Sequence, residues 1–170
     1  MKKTLAIILI LAIIPTVCLA QGAKITLGVF EQLFNHASSL LGTNHQIEKD
    51  IITYQAGEES DIYTVSYSRD LVLQIKTGHD SNQIQSAWII YVRDTNQSEE
   101  LDQSYRSMIV ELLYSTNTIT LLEDVEKVIT MLKDEQAANK SDKAQITYNG
   151  NIITFSPITS ISYSFMVSFD

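Results

Sequence analysis

From Ser160 to Phe169 the chain alternates without a break. Ile161, Tyr163, Phe165, Val167 and Phe169 fall on one side, and Ser160, Ser162, Ser164, Met166 and Ser168 on the other. Successive residues of a strand point to opposite faces, so this stretch predicts a strand with one buried side and one polar side. Such a strand needs sheet partners for its backbone and a second layer over its apolar side. Alternatively, its position at the chain terminus suits addition to the sheet edge of another protein. The alternation also resembles the strands of outer-membrane barrels, but a chain with three long helices lacks the eight or more strands that a barrel needs.

The covering layer is visible upstream. Leu27, Phe30, Leu33, Phe34, Ala37, Leu40 and Leu41 recur at the spacing of one helix face, with Thr26 as N-cap and Gly42 at the left-handed C-terminal position. A second helix is predicted from Leu101, Tyr105, Met108, Ile109, Leu112 and Leu113, capped by Ser98 and led by Glu99 and Glu100. A third starts at Thr120, whose spacing to Glu123 makes a capping box, and carries Leu122, Val125, Val128, Ile129 and Leu132. Only Ser115–Ile119 separates the last two, which predicts a helical hairpin. The polar stretch Asp134–Lys143 reads as an exposed loop.

Between the first two helices the period is two. Ile51–Tyr54, then Tyr63, Val65 and Tyr67, then Leu71, Leu73 and Ile75, then Ile84–Val92 predict a four-stranded antiparallel meander. In the last of these, Ile84, Ser86, Trp88, Ile90 and Val92 form one face, and Ala87, Ile89 and Tyr91 the other. Two apolar faces point to a central strand covered on both sides. Asn149-Gly150, set between β-formers, predicts a tight hairpin because both turn positions need positive φ. The fold class is therefore α+β: an N-terminal helix, a four-stranded antiparallel meander, a helical hairpin and three C-terminal antiparallel strands, with helices on one sheet face.

Residues 1–20 read as an export signal, with Lys2 and Lys3 ahead of the apolar run Leu5–Ile14, then Pro15 and a small residue at Ala20. The run is too short to span a bilayer, which takes about 20 apolar residues. A lipid anchor at Cys18 is disfavoured, because Pro15-Thr16-Val17 departs from the Leu-small-small pattern ahead of a lipidated cysteine. Residues 21–170 then form a single domain, exported to the periplasm or secreted. Without Lys2 and Lys3, ten basic residues face twenty acidic ones. That balance argues against nucleic acid and anionic membranes as partners and leaves another protein, with a basic surface among the options. Cys18 is the one cysteine, so the exported part has neither disulfide nor thiolate ligand.

Chemistry-bearing motifs are sparse. His36, His45 and His79 lie in separate segments without metal-ligand spacing, and no cofactor or metal is implied. His36 reads as a surface residue of the first helix and His45 as a loop residue. His79-Asp80, in the loop Thr77–Asn82, is the candidate catalytic pair, since a carboxylate can orient an imidazole that titrates near neutral pH. Thr77, Ser81 and Asn82 there are equally explained by turn chemistry. Glu58, Glu59 and Asp61 cluster between two strands, where exposed acids collect. Asn96-Gln97-Ser98 and Asn139-Lys140-Ser141 match a glycosylation acceptor pattern short enough to arise by chance. The expected function is a small exported non-catalytic binding or accessory protein; the alternative is a small exported hydrolase using His79 as general base.

Overall fold

A computed structural model describes residues 25–93 and 99–169. The proposed signal, Cys18, the predicted cap Ser98 and the Asn96-Gln97-Ser98 motif lie outside the described residues. Helix α1 (Leu27–Leu41) leads through a short 3-10 turn at Lys49–Ile51 into β1 (Ile52–Gln55), β2 (Ser60–Ser66), β3 (Leu71–Gly78) and β4 (Ile84–Val92). Helices α2 (Glu99–Ser115) and α3 (Leu122–Asn139) follow, then β5 (Ala144–Tyr148), β6 (Asn151–Pro157) and β7 (Ser162–Phe169). The strands form one antiparallel sheet ordered β1-β2-β3-β4-β7-β6-β5. This is the α+β arrangement expected from the periodicities.

The strand Ser162–Phe169 lies inside the sheet, not at its edge. β7 pairs with β4 on one side (Ile89 opposite Phe165) and with β6 on the other (Ile153 opposite Val167). Its backbone is consumed by these two neighbours, which removes the idea that it extends a foreign sheet.

Register divides the strand residues into two sets. One set runs Val65, Leu73, Ile89, Phe165, Phe155 across the sheet, and with Ile75, Ala87, Val167 and Ile153 it meets Phe30 and Phe34 of α1, Met108 and Leu112 of α2 and Val128 and Leu132 of α3 in one core. Phe30, Phe34 and Phe165 are each fully buried or nearly so, and a side chain of this size contributes roughly 1.5–3 kcal/mol on burial. The helices all lie on this face. α2 packs mainly on α1, while α3 runs along β5.

Three local expectations shift. Ile84 lies on the helix face, opposite Thr77, because a bulge at Gln85 breaks the register between Lys76 and Thr77. The other face of β4 is therefore Ser86, Trp88, Ile90 and Val92, and no described element covers it. Helix α3 begins one residue later than its capping box implied: the Asp124 carboxylate, not Glu123, accepts the N–H of Leu121 at 3.3 Å. It also continues into the first part of the predicted loop, as far as Asn139, where Lys140 closes it with φ of 49°. Two turn predictions hold: Gly42 ends α1 with φ of 67°, and Asn149 and Gly150 turn with φ of 51° and 81°.

Candidate functional site

The structure pairs two of the histidines with distant carboxylates. His79 follows β3, and its backbone N–H donates to Glu59 O at 3.3 Å, which holds the 79–83 turn against the turn between β1 and β2. Its Nδ1 lies 2.9 Å from Asp61 Oδ1. A carboxylate can only accept, so Nδ1 carries the proton and Nε2 is left as the basic nitrogen. Asp61 is buried on the helix face opposite Thr77 and also accepts the N–H of Gly57 at 3.3 Å. Gly57 is required there, because a Cβ would come 2.2 Å from Ser60 O.

The hydrogen bond to His79 holds the Asp61 carboxyl below the usual range despite partial desolvation, and the same bond raises the His79 imidazole above its ordinary value. Asp80, the neighbour singled out in sequence, acts on His79 only through its field. The His79 side chain is 45% exposed. Tyr54, itself exposed, packs on Tyr63 at 5.2 Å between centroids and flanks the same carboxylate.

The second pair is fully internal. Glu111 of α2 has no exposed surface, and His45 is 7% exposed. His45 Nδ1 donates to Glu111 Oε2 at 2.9 Å, and the Thr43 hydroxyl donates to Oε1. Ser38 Oγ stands 2.8 Å from Thr43 Oγ1, behind that bond. The Tyr67 hydroxyl donates to His45 O at 2.9 Å, and its ring meets the imidazole edge-on. Burial, with the Glu111 charge nearby, pushes the Tyr67 phenol well above its usual range. This assembly fastens the 42–48 loop to α2 and to the end of β2. Sequence reading placed His45 in a loop, which is right, but did not bring it to Glu111. A usable signal was present: Glu111 falls three residues after Met108 and four before Ser115, inside the buried stripe, where a carboxylate demands partners. His36 is exposed on α1. Among the described residues, no group of three or more histidine, cysteine or acidic side chains is placed to hold a metal ion.

A cavity of about 530 Å³ opens at the β6–β7 turn, against the stacked rings of Phe155 and Tyr163 and bordered by Pro157, Ile158, Gln136 and Asp142. Ile158 and Ile161 stand exposed around this turn.

The broadest candidate is the uncovered side of the sheet. Neighbouring strands place Val72 beside Ile90, Gln74 beside Trp88, Trp88 beside Met166, Met166 beside Thr154, and Ile152 beside Ser168. Val72, Trp88, Ile90, Met166 and Ile152 are half-buried by their neighbours alone. Among the described strand positions on this side, Lys76 is the one charged residue; the remainder are Ser, Thr, Gln, Gly and apolar side chains. Exposed surfaces are ordinarily rich in Lys, Glu, Asp and Arg, and interaction patches are depleted of charge at their centre. Compared with known proteins, the chain matches no family model, no curated protein and no solved structure. Among the described residues, no helix is long and apolar enough to cross a membrane.

Proposed function

We propose that this is a small exported, non-catalytic binding or accessory protein that takes a partner on the uncovered face of its sheet. The observation that carries the reading is the near absence of charge on that face, in a domain whose exported part has twenty acidic residues. A chain can keep strand positions free of carboxylates and lysines only at a cost in solubility, which a bound partner offsets. The test uses a photo-crosslinking amino acid in place of Trp88, with a second variant at Gln103, an exposed position on α2. In the producing cell, adducts are expected at position 88 and not at 103. Adducts at 103 alone defeat the reading. Export is tested on the same material, since the recovered chain should begin at Gln21 and carry no lipid.

A second reading, a small exported hydrolase with His79 as general base, is favoured by one specific arrangement. Asp61 fixes Nδ1–H and leaves Nε2 as the basic nitrogen of a half-exposed ring, as a general base requires. In a screen of ester and peptide substrates, any turnover that survives His79→Gln would eliminate this second reading.

A further inference from the structure

We propose that the partner on the uncovered face is a second copy of this chain, packed sheet on sheet about a two-fold axis. The inference rests on the binding reading above and adds the identity of the occupant. Charge selects it first. The described strand positions of the face offer no carboxylate to a basic protein and only Lys76 to an acidic one, so a charged partner finds little complement in them. A copy of the same face is uncharged in the same places. Through this face two chains, each with ten more acidic than basic residues after the proposed signal, meet without opposing carboxylates at the described strand positions.

Size and layout agree with this. β3, β4, β7 and β6 are seven to nine residues long. With strands about 4.8 Å apart and about 3.3 Å per residue, they cover roughly 500 Å² in projection. Side-chain relief and the flanking strands bring the accessible area towards the ~800 Å² per partner of a stable interface. β4 is the middle strand of the seven, and Trp88 lies at its middle, flanked by Gln74 and Met166. An isologous interface buries most completely what lies near its axis, and large aromatic side chains at that position dominate binding. Two such sheets pack about 10 Å apart with strands within about 30° of each other. Side chains the size of Trp88 and Met166, alternating with serines, can interdigitate at that spacing.

The experiment is the mass of the exported chain in solution across a concentration series, by light scattering and sedimentation. A dimer is expected. Raising salt should tighten it, because screening weakens repulsion between the acidic remainders of the two copies. Trp88→Glu and, independently, Ser164→Glu place like charges face to face and should raise the dimer dissociation constant by about a hundredfold or more. Circular dichroism checks that each variant folds, and Ser164, being small and half-buried, is the milder change. Mass spectrometry of the position-88 adduct supplies the remaining outcomes. An adduct of twice the chain mass supports the inference. An adduct of any other mass overturns the second copy but keeps the face as a binding surface, whereas no adduct at position 88 removes both. A chain monomeric at every concentration also overturns the inference.

Discussion

The two histidine–carboxylate pairs have the same bond length and opposite surroundings. His79–Asp61 and His45–Glu111 are each joined through Nδ1 at 2.9 Å. The first joins two turns where one partner faces water, while the second lies beneath the 42–48 loop with neither partner more than 8% exposed. Water can replace a missing partner in the first case and not in the second. The same two side-chain types therefore make an adjustable clasp in one place and a structural rivet in the other. Environment, not residue identity, separates them.

The comparison breaks most visibly at Glu111. Glu111→Ala strips the buried His45 N–H and the Thr43 hydroxyl of their acceptor, and should cost about 3–5 kcal/mol in denaturant unfolding. A loss near that of an ordinary surface substitution would show that water reaches the cluster. Replacing both His45 and Glu111 with leucine removes the polar groups together and should cost much less than the single alanine change, so a double-mutant cycle should return strong coupling. Independent, additive losses would count against a coupled pair.

At the exposed pair the effect is smaller and follows pH. His79 is raised in the folded state, so its contribution is complete below the unfolded value near 6.5 and is lost as pH rises through the folded value. Asp61 is lowered, so its contribution is present above about 4 and is lost as pH falls through its folded value. The clasp is thus strongest between about pH 4 and 6.5. In melting curves, the deficit of His79→Asn against the parent should be larger at pH 5.5 than at pH 9. An equal deficit at both pH values would assign the histidine a packing role instead.

A third contrast is smaller still. Asp124 is opposed by burial but receives bonds from Lys127 at 2.9 Å, the Tyr148 hydroxyl at 3.0 Å and Leu121 N–H, and its carboxyl stays below the ordinary range. Asp124→Ala removes this cap and should cost about 1 kcal/mol, whereas Glu123→Ala, at the position expected from the sequence, should change stability by a few tenths at most. The reverse order would restore the capping box at Thr120.

These regions also show what could be read in advance. Elements with a strict period were legible, because Phe30 and Phe34 or Phe165 and Val167 repeat where burial repeats. So were turns that demand positive φ, at Gly42 and Asn149-Gly150. The end of α3 was not. From Asp134 to Asn139 the helix is polar and largely exposed, so the apolar period that marks a helix has nothing to record there. The bulge at Gln85 was invisible for a related reason: it is a property of pairing with β3, not of β4 alone. The site suffered most. Asp61 and His79 are 18 residues apart and His45 and Glu111 are 66 apart, so neighbour-based reasoning selected Asp80 for His79 and nothing for His45.

The place of β7 has a consequence for how the molecule comes into being. Within the sheet, β1–β4 and the hairpin β5–β6 share no ladder with each other; β7 pairs with both, through β4 and β6. A growing polypeptide of this design holds two unfinished half-sheets until β7 has been made, and closing the loop between them is the slow, long-range step. A chain built this way stays threadable for as long as β7 is withheld, and locks once that strand slides into the gap.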